Sequence, residues 1–275
     1  MWMVLSFMRD MPMRQRAKIV IAVLSLLLVA ATCFSIREAW KETIQRKQEQ
    51  ETFEMLDQES ALQAEKAEAE ADKPKSDAAE VVCHDIAHLR ASNPDCIGWL
   101  SIPDTCISYP VMLTPDEPQR YLHRDFYGSY SYAGVPFLDY HCTTENHNLI
   151  IYGHNMRDGS MFGGLKAYLD RRYLTAHQKL YFETSSGMRT FKVFAVAQLN
   201  KTDAWYSFLC PATAEVYDTG IQTLLSEAAL WTGQQPRLGD QILTLSTCAD
   251  HDQRLVVAAV EERQELLSPY ISIIS

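Results

Sequence analysis

Three residues in this sequence have the types and spacing for acyl-transfer chemistry: Cys248, His154 and Arg254. Cys248 ends an apolar, β-branched run, Leu243-Thr244-Leu245-Ser246-Thr247-Cys248, and a polar turn follows at once, Ala249-Asp250-His251-Asp252-Gln253. A cysteine at a strand end is held at a rim that a substrate can reach. Its thiolate is the reactive form, and a nearby cation favours that form. Arg254 opens the next run, Arg254-Leu255-Val256-Val257, so a hairpin would bring it beside Cys248. His154 ends a second run, Asn148-Leu149-Ile150-Ile151-Tyr152-Gly153-His154, where Gly153 permits a turn that a larger residue would resist. Acyl transfer uses these types together. A thiolate attacks a carbonyl, an imidazolium protonates the leaving amine, and fixed positive charge stabilises the oxyanion. Singly, each has a plainer reading: a strand-end cysteine is more often buried and inert, and a lone histidine more often a structural hydrogen-bonder.

Metal binding is the chemical rival. Cys248 and His251 have C-x-x-H spacing, and His141 and Cys142 are adjacent. A structural zinc wants four ligands, usually as two spaced pairs, and the second pair is unconvincing, so no metal or other cofactor is expected. His84 and His88 lie at i, i+4, but no Glu beside the first makes a zincin motif. They read as an exposed or packed pair. The seven cysteines include no C-x-x-C, and their odd number speaks against a disulfide framework. A formal net charge of −10 and pI of about 5.3 argue against a nucleic-acid partner, which needs a basic face.

The elements that must position these residues follow from the pattern along the 275-residue chain. Residues 19–36 are uncharged and mostly apolar, near the lower limit of ~17–25 residues for a spanning helix. A cleavable signal peptide would have a shorter apolar core and a small-x-small site, so a retained anchor is expected, with residues 1–18 as a tail. Basic residues flank both ends, so charge decides little about orientation; the short tail makes a cytoplasmic N-terminus the simpler arrangement. Residues 37–80 read as a charged helical stalk and linker, a solvated spacer or else a partner helix, and residues 81–275 as the compact domain. Within it, a short helix is expected over 84–92. Short β-like runs follow at 97–102, 107–112, 135–138, 148–152, 179–183, 188–198, 241–247 and 254–260. Many short strands in one domain suggest a closed or nearly closed barrel. Helices are expected over 161–169, capped by Ser160, and over 212–231.

Five blocks in order carry a family resemblance: Gly98-Trp99-Leu100-Ser101-Ile102-Pro103 with Ile107-Ser108-Tyr109-Pro110-Val111-Met112; Tyr121-Leu122-His123-Arg124-Asp125-Phe126 with Ala133-Gly134-Val135-Pro136-Phe137-Leu138-Asp139; Tyr152-Gly153-His154-Asn155-Met156-Arg157-Asp158-Gly159-Ser160-Met161-Phe162; Thr244-Leu245-Ser246-Thr247-Cys248; and Arg254-Leu255-Val256-Val257. Over roughly residues 96–262 the chain resembles a sortase, within that family class B. The resemblance implies a mainly β fold, an eight-stranded sortase-type barrel with inserted helices, one in the connection before the cysteine-bearing strand. It implies a transpeptidase with His154, Cys248 and Arg254 catalytic, which cleaves a sorting signal after threonine and passes the acyl group to an amine of peptidoglycan or a pilin. Its partners would be surface proteins bearing that signal, and its place a Gram-positive cell membrane, single-pass, with an extracellular catalytic domain. Ser246, Thr247, Asn155 and Asp250 are the candidate substrate contacts. Asp250 matches an acidic position of some class B members, where it has been considered a partner for the histidine. Only five residues separate Cys248 from Arg254, short for the family, which leaves the groove wall there undetermined.

Overall fold

The computed structural model describes residues 12–70, 82–248 and 252–262. A long helix, α1, spans Met13–Glu70, and the chain divides into two units between Gln50 and Glu51. The first unit holds the apolar stretch. Its Leu24, Leu26, Leu27, Leu28 and Val29 side chains are all exposed, and α1 is long and apolar enough there to cross a membrane. Farther along, Lys41–Glu38 and Arg46–Glu42 pair at helical spacing.

The second unit begins at Glu51, earlier than the sequence pattern suggested. A wholly solvated spacer over residues 37–80 is not what the described part shows: Phe53, Leu56 and Ser60 are buried. Phe53 meets Tyr109 edge-on at 5.3 Å. An apolar residue at two positions three apart is enough to seat a helix face, although the surrounding Glu and Gln hide the stripe.

Nine strands follow among the described residues: β1 Cys96–Ser101, β2 Ser108–Met112, β3 Phe137–Leu138, β4 Asn148–Tyr152, β5 Lys179–Thr184, β6 Gly187–Asn200, β7 Ala228–Trp231, β8 Ile242–Cys248 and β9 Gln253–Glu261. They pair in the order β5-β1-β2-β3-β4-β8-β9-β6, and a further β5–β6 pairing closes the ring into an eight-stranded barrel. β7 adds to β6 through Ala195↔Trp231 and Val196↔Leu230. Closure leaves few unpaired strand edges.

β8 and β9 are covered on both faces, which is why they read as nearly continuous apolar runs. Leu243, Leu245, Leu255, Val257 and Ala259 join the main core. Ile242, Val256, Ala258 and Val260 join a second cluster with Trp205, Tyr217, Ile221 and Leu224. Trp205, Tyr217, Ile221 and Leu224 come from the β6–β7 connection, which holds a 3-10 turn, Ala204–Ser207, and a helix, Ala214–Ser226. The remaining short helices are α2 Ile86–Ser92 and α3 Arg171–Ala176, with α4 at Ala214–Ser226.

Two helices depart from expectation. The helix expected over 212–231 stops at Ser226, and Ala228–Trp231 forms β7 instead. Its Ala and Leu favour helix, but the open edge of β6 offers hydrogen bonds that override propensity. The helix expected over 161–169 is a 3-10 segment, Gly163–Leu169, and Ser160 does not cap it. The Ser160 hydroxyl donates to Asp158 Oδ1 at 2.6 Å, and Met161 sits at φ +50°, where a right-handed helix cannot start.

Candidate active site

The register of three neighbouring strands places the proposed chemistry at one rim. β4 runs parallel to β8 from Asn148↔Ile242 to Tyr152↔Ser246, and Gly153 N–H donates onward to the Ser246 carbonyl at 3.2 Å. Two residues further at the same offset, His154 lies level with Cys248. β8 pairs antiparallel with β9, and its last pair is Cys248↔Arg254. Strand ends of adjoining strands thus bring all three residues to one level.

His154 is half-buried. Its Nε2 lies 2.8 Å from the Leu122 carbonyl oxygen. A carbonyl only accepts, so Nε2 carries the proton and donates it. Nδ1 is then the nitrogen left for proton exchange. Burial holds the His154 pKa below the usual imidazole value; the Leu122 carbonyl pulls it up, and His123, with its ring 5.3 Å away, pushes it down. His154 is accordingly neutral at neutral pH, a base as it stands.

Gly153 is required here by space. A Cβ at that position would fall 2.7 Å from two atoms of the Phe162 ring, and Phe162 is fully buried. Phe162 N–H also donates to the His154 carbonyl at 2.9 Å. The loop after His154 is closed by an antiparallel bridge between Asn155 and Met161.

Arg254 is half-buried, and among the described residues its guanidinium makes no salt bridge. Nη1 donates to the Gln253 carbonyl at 3.3 Å. Neighbouring Asp252 is instead held by Lys201 at 2.6 Å, and the Lys201 ammonium, more than Arg254, draws its pKa below the usual carboxylate range.

Comparison with known proteins bears on the family and the fold. A family model described as "Sortase domain" matches residues 100–262. The chain is 36% identical over 167 residues to Sortase B of Listeria monocytogenes, covering 60% of this chain and 67% of that one. It is 27% identical over 254 residues to Sortase B of Staphylococcus aureus, covering 89% and 97%. Among solved structures, sortase B of Bacillus anthracis in complex with AAEK1 superposes with a TM-score of 0.67 at 28% identity, covering 81% of this chain and all (100%) of that one. The chain belongs to the sortase family.

It is a class B sortase, a cysteine transpeptidase. Within this sortase, the candidate substrate contacts fall in different settings. Ser246 is 1% exposed, and its hydroxyl lies 3.0 Å from the Tyr206 hydroxyl. Thr247 is buried, and its Oγ1 has no hydrogen-bond partner among the described residues. Asp250, like Ala249 and His251, lies outside the described residues, and with it the C-x-x-H spacing weighed as a metal pair.

Sequence reasoning did not single out His123, the Leu122 carbonyl, Tyr206 or Phe162 as parts of the site. Backbone carbonyls carry no sequence signal, and Tyr206 arrives from a connection 40 residues before Ser246. Tyr206 is fixed beneath the rim by its neighbour: Trp205 Nε1 donates to Thr244 Oγ1 at 3.2 Å, which itself donates to Asn148 Oδ1 at 2.7 Å. Of the other described cysteines outside α1, Cys96 opens β1 and Cys142 precedes β4, but both are buried, and burial pushes their thiols up to about 11.

Proposed function

We propose that this sortase is anchored by residues 19–36, with its catalytic domain outside the cell, and that Cys248, His154 and Arg254 carry the reaction. Its substrates are surface proteins with a C-terminal sorting signal, cut after threonine, and its acceptor is an amine of peptidoglycan or a pilin. A sortase B of Staphylococcus aureus has been solved with a substrate, at 25% identity and a TM-score of 0.69 to this chain, which supports a peptide substrate of the same kind. The observation that carries the assignment is the register: Cys248 opposite Arg254, with His154 level on the parallel neighbour.

In this reading the Cys248 thiol gives its proton to His154 Nδ1, and the sulfur attacks the threonine carbonyl. Arg254 faces the oxyanion that forms. The C–N bond breaks, the departing amine takes the proton from His154, and a thioester remains. The incoming amine then gives a proton to His154 as its nitrogen attacks; the C–S bond breaks and the thiolate is restored. Incubating the full chain in mild detergent with a panel of sorting-signal peptides and hydroxylamine should yield threonine hydroxamates, and Cys248→Ala should yield none. Equal product from the alanine variant would refute the role of Cys248.

A further inference from the structure

The segment that holds His154 also builds a rigid aromatic surface. Residues 124–130 form a small hairpin, bridged between Arg124 and Tyr130. Ser129 N–H donates to Asp125 Oδ1 at 2.8 Å, Arg124 Nη1 donates to the Gly128 carbonyl at 2.8 Å, and Gly128 takes φ +83° at the turn. Ser131 N–H then donates to the His123 carbonyl at 3.1 Å. Residues 122–123 are therefore gripped from one side by this hairpin while the Leu122 carbonyl grips His154 on the other. The outer face shows Tyr127, Tyr130 and Tyr132, exposed by 61%, 67% and 53%, with Ser131 turned inward at 1%. The Tyr130 ring stacks with His123 at 6.5 Å, and His123 lies 5.3 Å from His154. A continuous row of rings thus runs from the catalytic-site histidine out to solvent.

The chemistry says what must arrive there. In the second half of the reaction the acyl group sits on Cys248, and the amine must give its proton to His154 Nδ1 as it attacks. Whatever carries that amine has to lie against the surface around His154. Tyrosine and arginine are the residue types that dominate binding hot spots, and a preformed tyrosine face gives contact area at little entropic cost. We propose that the 124–130 hairpin, with Tyr132 beside it, docks the amine-bearing second substrate, and that the docked portion is a peptide extending from the amine. The proposal rests on the transpeptidase reading above, with His154 as the base.

The test uses the partition of one thioester. The full chain in mild detergent is given a cleavable sorting-signal peptide and one of three nucleophiles (a glycyl or lysyl oligopeptide, the same oligopeptide carrying a sugar, or hydroxylamine), and the ratio of aminolysis to hydrolysis is measured. That ratio does not depend on how much enzyme is folded or how fast it acylates. With Tyr130→Ser/Tyr132→Ser the ratio for the oligopeptide is expected to fall about tenfold, on the scale of losing hot-spot contacts. The ratio for hydroxylamine, which has nothing to lie on the hairpin, is expected to hold. Tyr130→Phe/Tyr132→Phe should keep most of the oligopeptide ratio. An equal fall for both nucleophiles would mean that His154 had been disturbed and would overturn the proposal. So would no fall for the oligopeptide, or a loss confined to an acceptor that also carries sugar. Slower acylation at an unchanged ratio would assign the face to the donor and overturn it too. Absence of any cleavage by the unaltered chain would instead reject the underlying reaction.

Discussion

His84 offers a quantitative test of how the barrel holds the last turns of α1. Its side chain is 1% exposed and lies between two carboxylates: Nε2 is 2.6 Å from Asp57 Oδ1 on α1, and Nδ1 is 3.2 Å from Glu183 Oε2 on β5. Its own N–H donates to the same Glu183 oxygen at 2.7 Å, and its ring stacks on Trp99 at 4.3 Å. Burial lowers the His84 pKa, but the hydrogen bonds and charges of Asp57 and Glu183 outweigh it and the pKa is raised above 6.5. The charged form is therefore bound more tightly in the folded chain than in the unfolded one. That stability is fully present below the unfolded value and is lost as pH rises through the folded value. Breaking one side of a buried pair costs ~3–5 kcal/mol. Asp57 is 36% exposed and keeps the second nitrogen engaged after Glu183→Gln, so about 3 kcal/mol, the low end of this range, is expected for that variant. Urea unfolding of the full chain in mild detergent, from about pH 5 to 9, measures it. The stability advantage over His84→Gln should shrink toward alkaline pH, with a slope of at most ~1.4 kcal/mol per pH unit for one proton. A difference that stays flat across the range, or grows with pH, would refute the account.

Arg254→Ala should lower turnover by about 10²–10³, as for loss of an oxyanion donor, and Arg254→Lys should recover little because it lacks the fork of donors; steady-state cleavage of a sorting-signal peptide checks both, and full activity of the alanine variant would remove Arg254 from the mechanism. Neutral His154 is needed to accept the amine proton, so the acid limb of aminolysis should fall below 6.5, the direction set by burial. His123→Phe removes a repelling charge and should move that limb upward in pH; an unmoved limb would mean that His123 does not act on His154. Gly153→Ala puts a Cβ 2.7 Å from the Phe162 ring. Overpacking at such a site costs ~1–3 kcal/mol, and a shifted His154 should also cost kcat/KM up to ~10²-fold; thermal unfolding together with kinetics separates the two effects.

What was legible in the sequence followed from strand periodicity and from residue types at strand ends. β4, β8 and β9 fell within a residue or two of their expected bounds, because strands buried on both faces are long apolar runs with polar turns at their ends. The same runs fix the register, since a one-residue slip would turn Leu243, Leu245, Leu255 and Val257 out of the main core. Register is what brings Cys248, His154 and Arg254 to one level, so that juxtaposition was already implicit in three hydrophobic patterns. What could not be read were positions fixed by long-range contact. β7 depends on the free edge of β6, the capping of 161–169 fails because of a positive φ at Met161, and α1 enters the core through only two large apolar side chains. His84 shows the limit most clearly. By spacing it paired with His88 on one helix face, yet Asp85 caps α2 by accepting from His88 N–H at 2.9 Å, which leaves His84 outside the helix. Its partners are 27 and 99 residues away. No local pattern anticipates two carboxylates from separate elements closing on one imidazole, and that same remoteness is why its titration reports on the docking of α1 rather than on α2.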